Sequence, residues 1–358
     1  MELGLPEVVA IVTMVALNAY VLTGGADFGG GVWDLCAFGP RAEEQRHLIA
    51  EAIGPIWEAN HVWLILVVVM LFGAFPPAFA TLGIVLHIPL TAMLVGIVLR
   101  GCGFVFRKYG TLTQIQRRAG RTFAVASAIT PVLFGVCVGA VASGAVGRAS
   151  VLVATATSVH DSPSFAEVFV APWLAPFPVA VGVLTFALFA FLAAIYLAAA
   201  APTADLRYDF RLRALGAAVV VFAAAISGLL VAPSEAPHVA TRLVVTPSAM
   251  LFQLAIGVGG LATLFALWRE RWQLARAAGA AQVSLILWGW AMAQHPYVIP
   301  FTLTIGDASA PRVTLLLLLG GLAVGSVILV PSLVYLFVIF SRSRSAPWID
   351  PERFDGAG

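Results

Sequence analysis

Asp27, Glu58 and Arg100 are three charges set inside long apolar runs. Each stands seven residues from a second charge: Asp27 before Asp34, Glu58 after Glu51, Arg100 before Arg107. Seven helical residues are two turns, about 10 Å, so each pair shares a face and the inner members stand at one depth. A charge within a bilayer costs several kcal/mol unless it faces the bundle interior and is paired. Two chemistries suit such a trio. One is an ion-paired layer that only fixes helix register. The other is a proton-conducting or ligand-binding cavity, open towards the cytoplasm through Asp34 and Glu51. Two acids to one arginine leave one negative charge in surplus, and a buried acid in surplus is one that can exchange a proton.

The histidines and cysteines carry weaker signals. His61 follows Glu58 in "EANH", the E-x-x-H spacing of di-iron bundles, but no second E-x-x-H accompanies it, so no dimetal site is expected. A haem shared by His61 and His87 is disfavoured by depth. His61 stands about 5 Å beyond Glu58, while His87 lies nearly ~20 Å along the helix from Arg100. His295 opens a loop near the outer interface, and His47, His160 and His238 are loop residues without ligand-like neighbours. Cys36, Cys102 and Cys137 read as small buried hydrophobes rather than as disulfide or redox partners. The stretch "GGADFGGG" around Asp27 lacks the Lys-Ser/Thr of a P-loop, and Gly25 and Gly29 suit close helix packing in lipid.

The elements that must position these residues follow from composition. Of 358 residues 61% are hydrophobic and 11% charged, with a mean hydropathy of +0.97. Soluble domains carry about a quarter charged residues, so this is an integral membrane protein of the all-α class. The net charge of +2 is spread over loops and implies no nucleic-acid partner. Nine apolar runs are long enough to span, near 7–37, 48–75, 78–106, 120–146, 174–200, 211–232, 248–268, 277–294 and 313–340. The N-terminal run lacks a basic n-region and reads as a retained first span. Alternate loops and the tail hold sixteen of the 20 basic residues, while Arg148, Arg242 and Arg312 lie on the other side. Lys and Arg mark the cytoplasmic side, so nine spans put the N-terminus outside and the C-terminus inside. The expected division is a four-helix bundle over 1–146, an extracytoplasmic connecting loop over 147–173, and a second four-helix bundle over 174–300. A peripheral ninth helix with its leading loop occupies 301–341, and a cytoplasmic tail 342–358.

Six stretches then carry a family resemblance: "GGADFGGGVWDL", "IGPIWEANHVWLI", "LFGAFPPAFA", "LRGCGFVFR", "APWLAPFPVAVGVLTFALFAFLAAIYL" and "PYVIPFTLTIGDASAP". Together they resemble subunit II of cytochrome bd-type quinol oxidases, in its short, cyanide-insensitive branch, from the first helix to the ninth. Pro55, Trp57, Glu58, Asn60 and Trp63 stand in the family's order and spacing. The resemblance implies a bacterial inner-membrane complex that oxidises quinol and reduces oxygen to water with protons drawn from the cytoplasm. It implies that the haems sit in subunit I, and that subunit II is haem-free, with two four-helix bundles and a peripheral helix. It also implies a proton route past the Glu58 position, which carries Asp or Glu in the family, and no fixed role for the variable His61 position. A structural quinone is a further implied ligand, with Trp57, Asn60 and His61 as candidate contacts. Membrane lipid and a small single-helix subunit are further implied partners. Two other classes compete: a secondary transporter with an intramembrane ionic site, and a self-sufficient b-type cytochrome. An optical spectrum of the chain alone separates the last from the first.

Overall fold

The computed structural model describes residues 4–53, 56–109, 113–156, 163–244 and 246–343. The first helix, α1 (Leu5–Leu35), opens on Pro6, whose fixed φ and missing N–H suit a first helical turn. After the short α2 (Ala42–Ile53) come α3 (Ile56–Ala74), α4 (Pro76–Val85), α5 (His87–Tyr109) and α6 (Thr113–Ala142). Three short helices follow, α7 (Ala145–Thr155), α8 (Phe165–Phe169) and α9 (Ala171–Leu174). Then come α10 (Pro176–Ala200), α11 (Ala204–Glu235), α12 (Pro237–Val244), α13 (Pro247–Trp268) and α14 (Trp272–Gln294). A small antiparallel hairpin, β1 (Tyr297–Ile299) and β2 (Leu303–Thr304), precedes the last helix, α15 (Arg312–Ser343).

The helix α10 is the pillar of the fold. Its sequence is apolar on every side, so it can pack against neighbours on several faces. Each residue from Ala187 to Ile195 is buried. Helices α1, α6, α11 and α14 pack around it. On α1 the approach is closest at Gly29, where an added Cβ would run into the Phe189 carbonyl, so only glycine fits. The Trp33 indole Nε1 donates to the Ala190 carbonyl at 2.7 Å and fixes the same contact. Helix α3 lies against α1, α5 against α6, and α13 against α14. Helix α15 is the least covered: 6% of its apolar window is buried, against 56% for α10.

Among the described residues seven helices are long and apolar enough to cross a membrane: α1, α5, α6, α10, α11, α13 and α15. Two of the expected spans take another form. The run 48–75 takes in the end of α2, described to Ile53, and α3, described from Ile56, and residues 54 and 55 lie outside the described residues. Next, α3 and α4 meet at Phe75 with a bend of 115° and satisfy the length test only as a pair. The run 78–106 is divided in turn between α4 and α5. Helix α14 spans 23 residues but is outside the seven, its apolar face diluted by Gln273, Arg276, Gln282 and Gln294. The segment 147–173, read as loop, is largely helical in α7, α8 and α9. A capping box starts α8, with the Ser164 side chain accepting from Glu167 N and Glu167 accepting from Ser164 N. His160 and Asp161 lie outside the described residues, as does the tail from 344.

Arg41 donates two hydrogen bonds to Asp209, at 2.6 and 2.9 Å, and ties the α1–α2 connection to α11 at the arginine-rich end. At the opposite end His238 of α12 packs edge-on to Phe301 at 4.8 Å, and neither ring nitrogen has a hydrogen-bond partner. Burial, and then the charges of Arg242 and Arg148, hold its pKa below the ordinary 6.5. The folded protein therefore binds this proton less readily than the unfolded chain. Its stabilising contribution is complete above 6.5 and is lost as pH falls through the lower folded value. The thermal midpoint is expected to be lower at pH 5 than at pH 7.5, and His238→Phe to narrow that gap. An unchanged gap in the variant would assign the dependence to other groups.

Candidate functional site

Four helices contribute five side chains to a buried polar layer, α1 supplying two of them. Asp27 on α1 and Arg100 on α5 are 0% and 1% exposed and form an ion pair, Arg100 Nη2 donating to Asp27 Oδ1. The second carboxylate oxygen accepts from Asn60 Nδ2 of α3 at 3.5 Å, and Thr23 Oγ1 donates to Asn60 Oδ1 at 2.9 Å. Arg100 Nε donates to Ser127 Oγ of α6 at 3.1 Å. The guanidinium lies 4.6 Å from the Phe28 ring centre and 5.2 Å from that of Phe123, positions where aromatic faces attract a cation. Glycines make the room. An added Cβ at Gly31 would collide with the Ser127 hydroxyl, and one at Gly24 would press on Asn60 at 3.2 Å. Both carboxylate oxygens of Asp27 and the Nε and Nη2 of Arg100 are hydrogen-bonded, which helps a buried pair to persist.

A second rung lies two turns along the same helices. Arg107 Nη1 donates to Asp34 Oδ1 at 2.8 Å, with Asp34 buried and Arg107 partly exposed. The shared seven-residue spacing on α1 and α5 thus becomes a two-rung ladder. Glu51 is not part of it. It sits on the separate helix α2 with its side chain 55% exposed, opposite His47 Nδ1 at 3.7 Å. The expectation that Glu51 shares a helical face with Glu58 falls on side chains 53–59, which lie outside the described residues. Trp57 and Glu58 occupy the first turn of α3, and their side chains lie outside the described residues. His61, one turn beyond Glu58, is partly buried and within electrostatic reach of Asp27. His87 stands apart at the start of α5, edge-on to Phe169 at 5.0 Å. Among the described residues no group of three His, Cys, Asp or Glu is placed to hold a metal ion. Sequence reasoning did not single out Thr23 or Ser127. The available signal for Ser127 was a small polar residue on an apolar helix, which in lipid marks a contact with another helix.

The sequence model described as cytochrome bd terminal oxidase subunit II matches residues 5–340. The chain belongs to that family. Within it, this subunit II chain is 34% identical over 97 residues to cytochrome bd ubiquinol oxidase subunit 2 of Bacillus subtilis, covering 27% of this chain and 28% of the relative. It is 28% identical over 130 residues to cytochrome bd-I ubiquinol oxidase subunit 2 of Escherichia coli, covering 36% of this chain and 34% of the relative. These alignments span about a third of the length of the curated relatives. The fold of this subunit II chain is similar to a chain in the bd oxidase structure from Geobacillus thermodenitrificans. The TM-score is 0.77 at 19% identity, covering 94% of this chain and 98% of the other.

Proposed function

We propose that the chain is the haem-free subunit II of a membrane-bound quinol:oxygen oxidoreductase of the cytochrome bd type. In this reading it supports a haem-bearing subunit I, where quinol is oxidised and oxygen reduced to water, and it lends that reaction part of a proton route from the cytoplasm. The observation that carries the reading is the extent of the family match, residues 5–340, which takes in the buried polar layer and every long helix. Nine spans follow if α3 and α14 cross together with the seven apolar helices. Helices α1, α3, α5 and α6 then make the first bundle, α10, α11, α13 and α14 the second, and α15 lies peripheral. The excess of Lys and Arg in alternate loops and the tail supports placing those segments on the cytoplasmic side of a bacterial inner membrane. A structural quinone, bound lipid and a small single-helix subunit belong to the same reading.

The pairing of Arg100 with Asp27 supports a division of labour among the charges. The Arg100 cation is held by Asp27, so by formal count the surplus acid of the trio is Glu58. We assign Asp27 and Arg100 to holding the bundle together and Glu58 to carrying the proton. The reading is tested by expressing the chain alone and with subunit I. Alone it is expected to show no haem absorption in the Soret region and no oxygen consumption with quinol. With subunit I it is expected to co-purify in a haem-bearing complex that turns over. A Soret band or turnover from the isolated chain would overturn the assignment in favour of a self-sufficient cytochrome.

A further inference from the structure

At the end of the molecule away from Asp34, α12, the start of α13 and the end of α14 enclose a cavity of about 260 Å³. Its polar lining, Arg242 and Thr246, lies at the helix ends, and its other walls are apolar. Phe252 stands six residues beyond Thr246, about 9 Å along α13, and Gly289 lies at a comparable depth on α14. The cavity is thus polar at the level of the helix ends and apolar one to two turns inside. Beside it α13 exposes Met250, Leu251 and Leu254, and α14 exposes Met292, a face suited to hydrocarbon.

The charge at the polar end is in no ion pair with a described residue. Arg242 Nη1 donates to the His295 carbonyl, and among the described residues the guanidinium makes no other hydrogen bond. Neither Arg242 nor Arg148 is in an ion pair among the described residues. Both lie within electrostatic reach of His238. Two of the three basic residues assigned to this side of the membrane therefore converge, where like charges repel unless an anion joins them. The first turn of the 22-residue α13 adds the positive end of a helix dipole beside Thr246.

We propose that this cavity binds one anionic phospholipid, its phosphate held by Arg242 at the membrane surface and an acyl chain laid along Phe252, Gly289 and Met292. A free phosphate would satisfy Arg242 but has no use for the apolar walls. A neutral lipid would fill the groove but not the charge. Gly289 keeps the groove wide: an added Cβ meets only the Phe252 ring, at 3.7 Å, so a longer side chain there occupies the acyl channel.

The test uses the complex that the protein forms in its own membrane, stripped of lipid in neutral detergent. Phosphatidylglycerol or phosphatidylcholine is added back, and native mass spectrometry counts the lipids retained. The wild type is expected to hold one phosphatidylglycerol that phosphatidylcholine displaces poorly. Arg242→Gln is expected to weaken that binding about fivefold, the loss of one basic group at a membrane surface. Gly289→Leu keeps the charge, fills the channel and is expected to weaken it as well. Thermal unfolding of each variant without added lipid confirms that it is folded before it is scored. Equal retention of the two lipids, binding unmoved in both folded variants, or full competition by inorganic phosphate alone would overturn the proposal.

Discussion

Arg100→Leu is expected to leave little assembled complex in the membrane. The substitution strands Asp27 at 0% exposure with only a 3.5 Å contact from Asn60 in place of its cation. Removing one member of a buried ion pair typically costs about 3–5 kcal/mol, a large share of the ~5–15 kcal/mol that holds a domain folded. The measure is the yield of intact complex extracted from membranes, compared with wild type. The companion variant decides what the pair is for. Replacing both members, Asp27→Leu with Arg100→Leu, removes two buried charges together, and such double replacements are often neutral. The double variant is expected to recover most of the yield and to keep turning over, as befits a pair that only locks four helices together. Recovered assembly without oxygen reduction would move the proton path onto Asp27. Normal yield from the single variant would end the idea of an ionic lock.

Glu58→Gln has the opposite signature. The amide matches the carboxyl in size and still hydrogen-bonds, but it cannot release a proton. Assembly and haem content are expected to stay normal, while oxygen consumption with excess quinol falls tenfold or more. A positioned proton-transfer group is worth on the order of 10²–10⁴ in rate. Glu58→Asp restores a titratable group one methylene shorter and is expected to recover part of the rate, which a purely structural role would not produce. Near-normal turnover by the amide would place proton uptake elsewhere in the complex.

The long helices were legible because hydrocarbon imposes a simple rule on sequence. The expected bounds of 174–200, 248–268 and 313–340 fall within three residues of α10, α13 and α15. The seven-residue spacing of Asp27, Asp34, Arg100 and Arg107 likewise translated directly into paired rungs, because helical period converts spacing into facing. Apolarity reports only that a segment avoids water, not which way it runs. For that reason 48–75 and 78–106 read as two separate spans, although α3 and α4 meet at Phe75 with a bend of 115°. The helices within 147–173 were hidden by the Ser, Thr and Pro content around them, although the Ser164–Glu167 capping box was present in the sequence. Ser127 carried in sequence only the signal of a small polar residue on an apolar helix, and its partner is fixed only once Gly31 lets α6 approach α1.

The ion pair between Asp27 and Arg100 joins positions 73 residues apart in the chain. A ribosome adding about 5–20 residues per second reaches Arg100 roughly 4–15 s after Asp27 has been made. During that interval α1 is in or near the membrane with a carboxylate whose cation does not yet exist. Its final seat must therefore wait for α5, and a nascent chain that stops short of Arg100 presents an unneutralised acid in the bilayer. The buried pair thus acts as a clock as well as a lock, since it closes only on a chain that has been made past its first hundred residues.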